Sequence, residues 1–169
     1  MGEYTHIIHS FEPVYNENSR VLILGSLPSV KSREEGFYYG HPRNRFWKVT
    51  AEVVGKPVPV TIEEKKAFLL DSRIAVWDVI AECDIIGSSD ASIKNVRAAD
   101  ISVITALCPD IAIFANGGTA SVLYDRHILP KTECPAVRLP STSPANAAWS
   151  TERLIEEWKR VLLPVLFHN

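Results

Sequence analysis

Four short apolar runs punctuate the chain: "RVLILG" at 20 to 25, "IAVWDV" at 74 to 79, "DIAIFA" at 110 to 115 and "AVRLP" at 136 to 140. None shows clean apolar/polar alternation, which is the pattern of strands covered on both faces. Between them the apolar period lengthens to that of a helix. "NRFWKVTAEVVG" spaces Phe46, Trp47, Val49, Val53 and Val54 before a terminal Gly55, and "TIEEKKAFLLDS" opens on a Thr cap with an acidic first turn. Three further helices are predicted: "NVRAADISVITALCP" stopping at Pro109, residues 117 to 130 ending at Pro130, and "STERLIEEWKRVLLP" ending at Pro164. Alternating strand and helix predicts an α/β fold, a three-layer αβα sandwich around a central, mostly parallel four-stranded sheet.

Composition narrows the class. A chain of 169 residues with 46% hydrophobic content is sized for one domain, read here as residues 1 to 169. The net charge of -2 argues against a generally basic nucleic-acid binder. Charge is nevertheless uneven. Between residues 31 and 48, Lys31, Arg33, Arg43, Arg45 and Lys48 face only Glu34 and Glu35, a net +3. Cys83, Cys108 and Cys134 are far apart and form no CxxC pair, and His6, His9, His41, His127 and His168 form no HxH or HxxxH pair. No disulfide framework, metal site or cofactor is therefore expected. The N-terminal residues carry no basic segment followed by an apolar run and no stretch reaches a membrane span, so a cytoplasmic protein without membrane contact is expected.

Ligands of parallel sheets bind beyond the carboxyl ends of the strands, which directs attention to four loops. "GSLPS" follows the first strand: Gly25 and Ser26 can bring backbone N–H groups close to a ligand, or the stretch is an ordinary turn. Asp78 ends the second strand, as an acceptor for the N–H of a heterocycle or as a helix cap. Asn116 and two glycines end the third and open a helix whose first amides can hold a phosphate or another acceptor. "PSTSPANA" ends the fourth, with Ser141 and Ser143 placed to donate to a phosphodiester or simply to cap the loop.

Taken in order, "GSLPS", "GHPRNRFW", "IFANGGTA" and "STSPANA" resemble the uracil-DNA glycosylase superfamily from about residue 20 to 160, and "GHPRNRFWKV" most resembles its hypoxanthine-DNA glycosylase branch, family 6. Many members carry Asp or Asn two residues after the first-motif glycine to position the hydrolytic water; here that residue is Leu27, which cannot. The resemblance implies that the role passes to Asn44. Where the best-known uracil enzymes have a histidine in the last motif, this chain has Ser141.

The implied function is a monofunctional, metal-independent glycosylase that cuts the N-glycosidic bond of deaminated bases in double-stranded DNA, preferring hypoxanthine (deoxyinosine) and leaving an abasic site for base-excision repair. Asn44 is expected to position water, although a helix cap is its other reading. Phe46 is expected to stack on the extruded base, or else to be an ordinary core aromatic. Arg43 and Arg45 are expected on the DNA backbone, Pro144 and Asn146 in the groove left by the flipped nucleotide, and Asp78 and Asn116 on the base. A monomer is expected. The rivals are a mismatch-specific uracil or thymine glycosylase and a non-catalytic doubly wound module that binds a nucleotide.

Overall fold

The computed structural model describes residues 2 to 167. In chain order its elements are β1 (Thr5–Ile8), β2 (Val21–Gly25), α1 (Val30–Glu35), α2 (Phe46–Val54), α3 (Ile62–Asp71), β3 (Ile74–Asp78), β4 (Ile80–Ile85), β5 (Lys94–Ala98), α4 (Ser102–Thr105), β6 (Ala112–Asn116), α5 (Gly118–His127), α6 (Leu129–Thr132), β7 (Val137–Leu139) and α7 (Thr151–Leu166). The apolar runs become a parallel sheet in the order β3-β2-β6-β7. All five residues of β2 are buried, and their side chains point alternately to the two faces. Val21 and Ile23 pack with Phe46, Trp47, Val49, Trp158 and Leu162 of α2 and α7. Leu22 and Leu24 pack with Ile101, Ile104, Leu123 and Tyr124 on the other side. The result is the αβα arrangement that the pattern predicts.

Register then places the strand ends side by side. Gly25 pairs with Asp78, and Leu24 with Ala115, so Gly25, Asp78 and Asn116 arrive at one edge of the sheet.

Two local expectations are corrected. Residues 95 to 109 do not make one helix: Lys94–Ala98 is a strand, followed by the short α4. "KNVRA" has a period of two, with Val96 and Ala98 packed inward, while Asn95 and Arg97 reach across to Asp84 and Glu82. With β1 and β4 it builds a second, antiparallel sheet in the order β1-β4-β5. Residues 30 to 35 form α1, directly after the "GSLPS" stretch that the sequence leaves open between a turn and a loop of ligand-facing N–H groups; Ser29 caps it by accepting from Ser32 N, and Gly36 ends it at φ 72°. Helix α7 runs past Pro164 to Leu166: the proline forfeits the one bond its N–H would have made, and the turn still closes beyond it, where Phe167 N donates to Leu163 O at 3.0 Å. The capping box of α3, by contrast, is as the sequence has it: Thr61 and Glu64 bond each other's backbone N–H. Among the described residues no helix is long and apolar enough to cross a membrane.

Candidate active site

Beyond the carboxyl edge of the parallel sheet lies a cleft of about 590 Å³, large enough for one nucleoside. Gly25, Ser26, Asn44, Asp78, Asn116, Ser141, Ser143 and Asn146 all line it. The four loops singled out in the sequence therefore converge. Tyr38, Tyr39, His41, Arg33, Arg138, Thr142 and Trp149 line it as well.

The polar wall is a locked chain of hydrogen bonds. Thr142, fully buried, donates its backbone N–H to Asn116 Oδ1 at 3.1 Å and accepts from Asn116 Nδ2 at 3.0 Å. Its own hydroxyl then donates to Asn44 Oδ1 at 2.9 Å. The same oxygen accepts from Phe46 N at 2.9 Å, an Asx turn leading into α2. The N-cap position itself is Arg45, without a side-chain cap bond, so Asn44 is not the cap but, one place before it, a cleft residue. Its oxygen is occupied by two donors, so the atom it has to offer is Nδ2, which meets no partner among the described residues.

Asn116 Nδ2 also donates to the Tyr39 hydroxyl at 3.3 Å. Tyr39 sits at φ 50°, a left-handed conformation that a bulky residue adopts only when its surroundings impose it. Burial, and after it the negative charge of Asp78, raises its phenol far above the ordinary range, so the hydroxyl keeps its proton and is a donor. Tyr38 is raised in the same way, chiefly by burial, and donates to Glu12 O at 2.8 Å.

Asp78 forms the opposite side. The residue is 4% exposed, and its Oδ2 accepts from His9 Nε2 at 2.8 Å. A Cβ placed on Gly25 would lie 2.5 Å from Asp78 Oδ1 and 3.4 Å from the Tyr39 hydroxyl. A carboxylate acceptor and a phenol donor therefore meet over the bare Cα of Gly25, and only glycine leaves room for both.

Two expected contacts are corrected. Phe46 is fully buried and does not line the cleft; the Tyr39 ring lies over it with centroids 3.9 Å apart. Phe46 supports the ring of Tyr39, and Tyr39 is the residue of the pair that reaches the cleft. Arg45 does not point to a DNA backbone. Its guanidinium donates to the carbonyls of Trp149 (2.5 Å), Ser143 (3.2 Å) and Asn146 (3.1 Å), carbonyls that no strand or helix satisfies. It clamps the 141 to 149 loop. Arg43 is exposed and makes no side-chain bond among the described residues, while Pro144 is exposed at the tip of that loop, outside the cleft. Ser141 and Ser143 turn the loop by accepting from Ser143 N and Ala145 N, and Asn146 donates to Ser141 O.

The sequence reading missed Tyr39 and Arg138 as cleft residues, and His9 as the partner behind Asp78; Arg33, counted in the basic patch, does line the cleft. Tyr39 had a local signal, in "FYYG" directly before "HPRNRFW". Arg138 lies over Gly118, whose added Cβ would come within 2.8 Å of the guanidinium. Lys31, counted in the basic patch, is paired with Glu35 at 3.6 Å. Among the described residues no group of three or more His, Cys, Asp or Glu could hold a metal ion.

Known proteins match this chain in sequence and in fold. The Uracil DNA glycosylase superfamily matches residues 12–163. A hypoxanthine DNA glycosylase of Methanosarcina acetivorans is 33% identical over 156 residues, spanning 92% of this chain and 98% of the relative. One of Methanosarcina barkeri is 31% identical over 116 residues, 68% of this chain and 73% of the relative. The solution NMR structure of a uracil DNA glycosylase candidate from Methanosarcina acetivorans superposes with a TM-score of 0.76 at 35% identity, covering 89% of this chain and 93% of that one.

Proposed function

Because the chain belongs to the uracil DNA glycosylase superfamily, we propose that it removes deaminated bases from DNA, hypoxanthine first among them, with water as the nucleophile and an abasic site as product. The observation that carries this reading is the meeting of Asp78 Oδ1 and the Tyr39 hydroxyl over Gly25. Hypoxanthine offers a ring N–H beside a carbonyl, so a carboxylate acceptor next to a phenol donor matches that edge. Adenine, with a bare ring nitrogen beside an amino group, presents the opposite pattern. Uracil shares the N–H and carbonyl pair and is the second base the site would take.

The C1′–N9 bond breaks with positive charge growing on the sugar and negative charge on the base. The Tyr39 hydroxyl would stabilise charge moving onto the carbonyl oxygen, with the Tyr39 ring held in place by the Phe46 ring stacked against it. Asn44 Nδ2 would hold the water by donating to one lone pair, leaving the other for C1′. An amide cannot accept the proton, so the water sheds it only as it adds, and that proton ends on the departed base. The nucleotide must leave the duplex to reach a floor this deep. The loop held by Arg45 is placed to fill the gap, with Arg43, Arg33 and Arg138 as cations for phosphates.

The test uses duplexes with a single hypoxanthine, uracil, xanthine or mismatched thymine, followed by alkaline cleavage of abasic sites. Breaks are expected fastest at hypoxanthine. No break at any lesion would sink the enzymatic reading, and an Asn44→Ala protein with the full wild-type rate would sink the water-holding role alone.

A further inference from the structure

His9 has no place in the motifs, yet among the described residues its side chain makes the one side-chain hydrogen bond to the Asp78 carboxylate. Strand β1 pairs antiparallel with β4, and the register continues one residue past β1, where His9 N donates to Ala81 O at 2.8 Å. That pairing delivers the ring to Asp78, at the point where the chain leaves β3 for the second sheet. The two side chains are 5% and 6% exposed. The imidazole lies against Phe11, centroids 4.5 Å apart, and Tyr38 at 6.0 Å, two rings that also meet each other at 4.7 Å and so form one aromatic wall beside it. No Arg or Lys bonds Asp78 among the described residues, and Oδ1 makes no protein hydrogen bond.

A carboxylate has two equivalent oxygens and rotates about its Cβ–Cγ bond unless something distinguishes them. Here the Nε2–H of His9 holds Oδ2 and so leaves Oδ1 over Gly25, in the cleft. We propose that His9 is a positioning residue for base selection: it orients Asp78 so that Oδ1 accepts the ring N–H of an extruded lactam base. This rests on the glycosylase reading above. It makes the antiparallel sheet, which contributes no other residue to the polar wall, a working part of the site. The base selected is one with an N–H beside a carbonyl, whether hypoxanthine, xanthine or uracil.

The test is a double-mutant cycle read in single-turnover excision of hypoxanthine from a duplex, with duplex affinity measured separately. His9→Phe keeps the ring contacts with Phe11 and Tyr38 and removes only the N–H. It is expected to slow excision about tenfold to a hundredfold with duplex affinity unchanged, since the hydrogen bond it deletes is charge-assisted. His9→Gln restores an N–H and is expected within about threefold of wild type. In the Asp78→Asn background, His9→Phe is expected to cost less than about threefold more, because a residue that acts through Asp78 has nothing left to act on. Equal loss in both backgrounds, or a His9→Gln protein as slow as His9→Phe, overturns the proposal. A His9→Phe protein that does not fold shifts the decision to His9→Gln. Should wild type excise no lesion, the glycosylase reading falls, and the pairing is then judged by NMR. A hydrogen-bonded His9 Nε2–H resonance that Asp78→Asn abolishes supports the orienting role, and one that it leaves unchanged overturns it.

Discussion

The ring of Tyr39 lies flat on that of Phe46, with 9° between their planes, and Phe46 is in turn enclosed edge-on by Trp47 and Trp158. Lining the cleft and supporting the ring that lines it are thus divided between two residues seven positions apart in the chain. Phe46→Ala is expected to cost about 3 to 5 kcal/mol of stability, as a large core deletion does. Tyr39→Phe keeps the stack, loses the hydroxyl, and is expected to slow hypoxanthine excision about tenfold with little change in Tm. Thermal unfolding measured beside single-turnover rates separates the two. A Tyr39→Phe protein at full speed would remove the phenol from the base-reading role.

Arg45 and Arg43 are two residues apart and are expected to fail in different ways. Arg45→Ala frees three loop carbonyls from a charged donor and should lower stability by about 2 kcal/mol. Arg43→Ala should leave Tm unchanged and reduce the slope of log affinity for DNA against log salt by about one. Affinity measured from low to moderate salt decides it, and a salt slope altered by Arg45→Ala alone would reverse the assignment.

Gly25 and Gly55 form a matched pair of substitutions. Alanine at 25 sets a methyl 2.5 Å from Asp78 Oδ1 and must push the carboxylate aside. Excision is expected to fall about a hundredfold or more, while overpacking costs about 1 to 3 kcal/mol. Alanine at 55 meets nothing within 4 Å but must adopt φ 71°, so about 1 kcal/mol of stability is lost and activity is kept. Should Gly25→Ala retain wild-type activity, the acceptor does not lie where the mechanism needs it.

The second sheet carries a pH dependence of its own. His6 donates to Asp84 at 2.7 Å and approaches Glu82 at 3.2 Å, and these bonds, Asp84 first, raise its imidazole above the usual 6.5. A raised basic group contributes stability fully below 6.5 and loses it as pH rises through the folded value. Asp84 is lowered from 3.8 by Asn95 and then His6, and Glu82 from 4.5 by Arg97 and then His6. Their contributions are present above those ordinary values and lost as pH falls through the lower folded ones. Wild type should therefore exceed His6→Ala in Tm most clearly near pH 5.5, with the difference shrinking by pH 8.5. A difference that stays constant across that range would contradict the pairing. All three groups are exposed, so the effect is small and weakens with salt.

Much of this protein is legible in its residue order. Burial on both faces writes continuous apolar runs, so β2, β3 and β6 could be placed, whereas β7 proves to be an edge strand with Val137 and Arg138 exposed and Leu139 buried; a capping box or a terminal glycine marks helix ends because those bonds are local. Once the sheet is parallel, the loops after its strands must share one edge, which is why Gly25, Asp78, Asn116 and the serines of "PSTSPANA" were found together, while Asn44 was reached through the family resemblance. The misses have one cause in common. Lys94–Ala98 reads as a helix until Asn95 and Arg97 find Asp84 and Glu82 on another strand. Arg45 reads as a DNA contact until the loop about a hundred residues later offers it three carbonyls. Phe46 reads as the stacking ring until Tyr39 closes over it, and His9 stands outside every motif although it bonds Asp78 across 69 positions. Residue pattern records which surfaces are buried and where the backbone must turn, because neighbours in the chain impose those. Which polar atom meets which other is decided only when distant strands pair, since a hydrogen bond depends on distance and angle that no spacing along the chain contains.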